Sequence, residues 1–201
     1  MRALLKSFAR KDNNMFGFFK KKKPEPLPPL PPAFVENECG MFTLKVAEPI
    51  IYENGKKRRH IHMYYKGDAV WHGAENKISA TVRCNDDPNA EKGFNRLKWA
   101  VENSAELEQR LIDYTLNDFI DQEHPEVPIE IWSTGYDDDS GEEPDPMPPE
   151  EFRKHISVNF IGVEDDGTIV IDMSLDDLFT DHGFMIYIDE NGNITDGGLW
   201  G

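Results

Sequence analysis

Cysteine is scarce: among 201 residues there are two, Cys39 and Cys84, far apart in the chain. A secreted scaffold held by disulfides is Cys-dense and much shorter, so this chain is not built that way. The two thiols read as buried and free, in a reducing compartment. Long apolar runs are missing too, since no stretch approaches the ~18–20 residues that a membrane-spanning helix requires. Near the start, Phe16, Phe18 and Phe19 precede Lys20 to Lys23 instead of following them. That order is the reverse of a secretory signal, and no small-residue cleavage site follows, which makes the cytoplasm the expected compartment. Catalytic signatures are also absent: there is no G-x-S-x-G elbow, no phosphate-cradling glycine loop and no dinucleotide fingerprint.

Positive charge is lacking over most of the length. The formal net charge is −16, and it is unevenly spread. Residues 1–33 hold eight Lys/Arg and two Asp/Glu, whereas residues 34–201 hold fourteen and thirty-six, a net of −22. Nucleic-acid binding depends on neutralising phosphates, so a body of this sign excludes a nucleic-acid partner. It favours association with a basic protein instead.

What is present suffices for a core. Twelve Phe, four Trp and six Tyr supply large side chains, each worth roughly 1.5–3 kcal/mol when buried. The length suits one domain and a tail. The tail is residues 1–33: a basic run at Lys20 to Lys23 and then PEPLPPLPP, which proline rings hold extended. It reads as a flexible linker. Its Phe and Lys residues also suit weak contact with an anionic membrane, and its polyproline segment suits an aromatic groove. Met15, followed by FGFFKKKK, reads as a second candidate start.

From Phe34 the texture changes. Phe42, Leu44 and Val46 alternate with Thr43 and Lys45, the period of a half-buried strand. Glu53 to Lys56 has turn chemistry, and Ile61, Met63 and Tyr65 then alternate with His60, His62 and Tyr64. The plainest strand is Lys77 to Cys84, with Ile78, Ala80, Val82 and Cys84 on one face. The middle is helical. Asp87-Pro88 predicts a start before Phe94, Leu97 and Val101, and a second helix runs from Ser104 through Leu107, Leu111 and Phe119 to an end near His124-Pro125. Ile129 to Trp132 fits a short strand or a helical turn. Asp137 to Pro149, with six carboxylates between Asp137 and Asp145, reads as an exposed loop, and Pro149 to Phe152 as a short helix start. The last third alternates again at Ile156, Val158, Phe160, at Ile169, Ile171, Met173 and at Phe184, Ile186, Ile188, with turns at Asp165-Asp166-Gly167 and Asn191-Gly192. The pattern predicts one α+β domain over residues 34–201: an antiparallel strand meander, two central helices and C-terminal antiparallel strands.

The closing stretch DLFTDHGFMIYIDENGNITDGGLWG contains Asp177-Leu178-Phe179, His182-Gly183, Asp189 and Asn193-Ile194-Thr195-Asp196-Gly197-Gly198. In these residues the chain resembles an uncharacterised bacterial family, domain of unknown function twenty-two sixty-two. At the turn this chain has Asp181-His182-Gly183 where a Gly-His pair would be sought. The resemblance implies the same layout of strands, paired helices and acidic connection, a bacterial source and a cytosolic setting. It brings no catalytic residues.

Four groups of residues are candidates for chemistry. His60 and His62 share a strand face at a spacing that can chelate zinc or copper, with His72 a possible third ligand, although the basic run at Lys56 to Arg59 works against a cation there. Asp176, Asp177, Asp181 and His182, near Asp172, are the densest acid–histidine group. They suit a metal-dependent hydrolase if they face one cavity, and a charged connection between strands if they do not. Cys39 with one of the six His residues would make a Cys–His pair, but nothing in the sequence brings them together. Asp137, Asp138, Asp139, Glu142 and Glu143 suit the surface of a binding protein, immunity or antitoxin-like, that meets a basic partner such as a toxin. A regulatory domain recruited to membrane by the tail is a further reading. No cofactor and no complete metal-ligand set is expected.

Overall fold

The computed structural model describes residues 31–47, 50–53, 56–59, 62–74, 77–87, 89–131, 145–176, 178–179 and 182–200. Their order begins β1 (Phe34–Asn37), β2 (Gly40–Ala47), β3 (Ile50–Glu53), β4 (Lys56–Arg59), β5 (His62–Ala69) and β6 (Ile78–Arg83). Helices α1 (Glu91–Glu102) and α2 (Ser104–Phe119) follow, then β7 (Ile129–Ile131), β8 (Asp145–Met147) and α3 (Pro149–Phe152), which runs into a 3-10 turn at Arg153–His155. Strands β9 (Ser157–Val163), β10 (Ile169–Ser174), β11 (Gly183–Ile188) and β12 (Ile194–Trp200) complete the chain. The class is α+β.

Eight strands form one sheet in the order β1-β2-β5-β6-β9-β10-β11-β12. It consists of two antiparallel meanders that meet where β6 and β9 pair in parallel, Ser79 opposite Phe160 and Val82 opposite Val163. A parallel pair cannot be closed by a tight turn, so the chain must cross over between these strands, and the helices lie in that crossover. Among the described residues, strands β3 and β4 pair only with each other, as do β7 and β8.

Register explains which face is buried. Leu44, Tyr65, Val82, Val163, Ile169, Ile188 and Ile194 stand opposite one another across seven strands. Tyr65, Val82, Ile169 and Ile188 in this row are fully buried beneath the helices. Helix α1 comes close because residue 93 is glycine: a Cβ there would lie 2.4 Å from Val82 Cγ1. Phe94 then packs edge-on against Phe42 at 5.2 Å and tilted against Tyr65 at 5.4 Å.

Cations on α1 and α2 tie the helices to the turns of the second meander. Arg96 donates to the carbonyls of Gly167 (3.1 Å), Asp189 (2.7 Å) and Glu190 (3.2 Å), and Lys92 donates to the Asp166 carbonyl. Arg110 donates to the Gly192 carbonyl at 2.9 Å. On the other side of the seam, Asn85 gives its backbone and side-chain N–H groups to the Asp165 carboxylate at 2.9 and 2.8 Å, while its Oδ1 accepts the Met63 N–H at 2.7 Å.

Four details differ from the sequence reading. Helix α1 starts at Glu91, after Ala90 in a left-handed conformation (φ 51°), because the Asp87 carboxylate accepts the Glu91 N–H at 2.8 Å and fixes the entry there. Helix α2 ends at Phe119, short of His124-Pro125: Ile120 turns extended, and Asp121 Oδ1 captures the N–H groups of Glu123 and His124 at 2.9 and 3.3 Å. Asp145–Met147, inside the expected loop, is a strand, which Pro146 permits because a two-stranded ribbon leaves an N–H side unpaired. The first meander is also not continuous, since β3 and β4 leave the main sheet.

Candidate functional site

Side chains on the second face of the sheet follow from the same register. Thr43, Lys66, Thr81, Gly162, Val170, Tyr187 and Asp196 form one cross-strand row on the side away from the helices. Small residues occupy its centre and large ones its flanks. The result is an open cleft of about 660 Å³ over the parallel seam, with Ser79, Thr81 and Gly162 at its base. Tyr64, Lys66 and Arg83 line one bank, and Phe160, Met185 and Tyr187 the other. Glycine at 162 leaves room for the neighbouring ring, since a Cβ there would sit 3.2 Å from Phe160 Cε1. The strands slip register between Asp172 and Met173, and Asn159 reaches Asp172 Oδ2 at 3.3 Å. Trp200 Nε1 donates to the other oxygen at 3.1 Å, its ring passing over Gly183. Arg83 and Glu164 pair across the seam at 2.6 Å.

Of the acid–histidine group, Asp176 and His182 lie among the described residues. Asp176 is exposed, has a left-handed backbone (φ 49°), and accepts or shares a hydrogen bond with His155 Nδ1 at 2.9 Å. His182 is exposed, and its backbone N–H donates to the Phe179 carbonyl at 3.0 Å. Asp177 and Asp181 lie outside the described residues, as do Asp137, Asp138, Asp139, Glu142 and Glu143 and the tail up to residue 30. Asp172 stands on the open face, its two oxygens taken by Asn159 and Trp200. Sequence reasoning missed His155, since its partner is twenty-one residues away in sequence and only the packing of α3 joins them. That packing is aromatic: Phe119 stacks on Phe179 at 4.8 Å and meets Phe152 at 5.1 Å and Phe184 at 5.8 Å.

Of the histidine chelate, only two members lie among the described residues. His62 opens β5 and His72 lies beyond its far end, with its N–H on Ser104 Oγ at 3.2 Å, while His60 lies outside the described residues. Among the described residues no three His, Cys, Asp or Glu side chains are grouped to hold a metal ion. Nearby, burial pushes the Glu108 carboxyl up and the charge of His72 pulls it down. Gly73, with φ 78°, lies under that carboxylate, and a Cβ there would meet Glu108 Oε2 at 2.5 Å.

Both cysteines are free and buried, Cys39 in the β1–β2 turn and Cys84 just after β6. Burial pushes the Cys84 thiol up to about 11, with Asp165 and Asp87 adding to the effect, and burial raises Cys39 in the same direction. Since the thiolate is the reactive species, iodoacetamide at pH 8 is expected to leave both unmodified in the native state and to label both in denaturant. Intact-mass measurement of a native sample carrying two adducts at the denatured rate would contradict this placement.

These features define a class: an α+β domain with helices over one face of a mostly antiparallel sheet and a cleft on the other. Residues 59–199 match the family described as an uncharacterized protein conserved in bacteria (DUF2262), and the chain belongs to that family. No curated protein and no solved structure matches the chain. Among the described residues no helix is long and apolar enough to cross a membrane.

Proposed function

We propose that the protein is a non-enzymatic binding domain, immunity or antitoxin-like, whose second half meets a basic protein partner. The observation that carries this reading is where the charge resides. Residues 34–90 hold eight Lys/Arg and eight Asp/Glu, so they are neutral, whereas residues 91–201 hold six and twenty-eight. All six of those cations are engaged within the fold. Lys92, Arg96 and Arg110 bind turn carbonyls, Lys98 pairs with Glu38, Arg153 with Asp113 and Lys154 with Glu151. Among the described carboxylates, Asp118 near the end of α2, Asp121, Glu123 and Glu126 after it and Glu130 in β7 are all exposed. The sequence between β7 and β8 adds Asp137, Asp138, Asp139, Glu142 and Glu143 to the same stretch of chain. A surface of one sign accelerates encounter with the opposite sign and rejects like-charged competitors.

The test is capture of a partner from the native host followed by association kinetics. Raising salt from ~0.05 to ~0.3 M is expected to slow association by about tenfold or more. Changing Asp137, Asp138, Asp139, Glu142 and Glu143 together to amides is expected to slow it at low salt with an unchanged melting temperature, because charges in an acidic, proline-rich connection are expected to add little stability. An acidic partner, or an association rate indifferent to both salt and the five substitutions, refutes the reading.

A further inference from the structure

The cleft on the open face has a chemistry unlike the rest of the surface. One bank is cationic and hydroxyl-bearing: Lys66, Arg83, Tyr64, Ser79 and Thr81. The other is apolar: Phe160, Val170, Met185 and the ring of Tyr187. The carboxylates on this face are largely committed, Glu164 to Arg83 and Asp172 to Asn159 and Trp200, while Asp68 and Asp196 stand at its margins. Lys66 is exposed and forms no ion pair among the described residues. Among the described residues the Tyr187 hydroxyl has only the Met185 thioether as acceptor, at 3.2 Å, and a thioether is a weak one. The volume of about 660 Å³ lies within the range of small-molecule pockets.

We propose that this cleft binds a small organic anion with a flat apolar body, an aromatic carboxylate. Lys66, Thr81, Gly162 and Val170 follow one another on adjacent strands of one row. Neighbouring strands are about 4.8 Å apart, so a carboxylate at Lys66 and Thr81 leaves a fused ring, reaching about 7 Å further, over Gly162 and toward Val170, against Phe160. Charge complementarity selects the anion: in a body of net −22 this is a face where Lys66, unpaired among the described residues, stands beside an apolar platform. A neutral aromatic would gain the platform and forgo Lys66, and an aliphatic acid would gain Lys66 and match the flat platform poorly. The site does not depend on the acidic-surface reading of function.

The probes are 2-naphthoate, 2-naphthamide and octanoate, titrated into the full chain and followed by NMR of the Met185 methyl and the Tyr64, Phe160 and Tyr187 rings. The expected result is a Kd for naphthoate of about 1 mM or tighter, about tenfold below that of the amide, as one charge-assisted hydrogen bond gives. Lys66→Gln, an exposed position, should abolish the preference of acid over amide while keeping the amide's own affinity. Thr81→Trp, which fills the base of the cleft, should abolish binding of both; should that variant fail to fold, Lys66→Gln decides alone. Equal binding of acid and amide, a preference that survives Lys66→Gln, or shifts confined to other residues would overturn the proposal. Octanoate binding as tightly as naphthoate would overturn the flat-body requirement. A face that ignores all three probes and is instead buried by the basic partner overturns it in favour of a protein interface.

Discussion

Phe152→Ala is expected to destabilise the protein by about 3–5 kcal/mol, the range for removing a buried aromatic ring and leaving a cavity. Phe152 is fully buried although it belongs to a helix of four residues, α3, which is too short to persist by its own hydrogen bonds. Its ring meets Phe119 at 5.1 Å and Phe179 at 5.8 Å, so α2, α3 and the connection before β11 converge on it. Three elements held independently cannot all move inward to fill the void, which places the loss at the upper part of the range. Since small proteins are stable by about 5–15 kcal/mol, a single substitution here removes a large share. Urea denaturation should show the midpoint falling at unchanged slope, with Phe152→Leu retaining most of the stability. Phe179→Ala should be smaller, because that ring is only partly buried, and the double variant should fall short of the sum, as contacting residues do. A loss below about 1 kcal/mol would mean that the cluster closes over the gap and does not hold α3 in place.

Much of the local structure was legible because a period is a local property. The alternation at Ile78, Ala80, Val82 and Cys84 assigned the buried face of β6 correctly, and Asp165-Asp166-Gly167 and Asn191-Gly192 marked two hairpins, with φ of 92° at Gly167 and 84° at Gly192. What could not be read was pairing between distant segments. Nothing in SATV or FIGV says that they lie side by side in parallel, yet that pairing joins the two meanders and creates the open cleft. The row of Lys66, Thr81, Gly162, Val170 and Tyr187 exists only once the register is known, because its members come from five strands spread over more than a hundred residues. The Asp176–His155 contact was hidden for the same reason. Asp176 is one of a run of acidic residues, but its ring partner arrives from the 3-10 turn after α3, placed by Phe152. Proline misled twice. His124-Pro125 suggests a terminator, but Asp121 stops the helix before it, and Pro146 suggests a loop, but it sits in a two-stranded ribbon.

Arg96→Met is expected to cost about 2–3 kcal/mol, more than an exposed arginine would, because three backbone carbonyls lose a charged donor at once. The guanidinium reaches Gly167 in the β9–β10 turn and Asp189 and Glu190 in the β11–β12 turn, so one side chain of α1 fixes two hairpins. It also stacks at 4.6 Å on Trp99, and Trp99 in turn packs under Gly192, where a Cβ would lie 3.0 Å from the indole. Burial pulls the Arg96 pKa down and the charges of Asp189 and Glu190 pull it back up; a guanidinium stays charged through such a shift. Methionine keeps the stem over Trp99 and removes the donors, so the substitution isolates the hydrogen bonds from the packing. Arg96→Lys should recover less than half of the loss, since an ammonium is a point charge that cannot span two turns as a planar fork does. Hydrogen exchange locates the effect: the amides of Gly167 and Gly192, which close their turns onto Glu164 and Asp189 at 2.9 and 3.1 Å, should lose protection before those of the central strands. If Arg96→Lys restores full stability, or if the two turns keep their protection in Arg96→Met, the hairpins are held by their own Asp-centred hydrogen bonds and α1 merely lies against them.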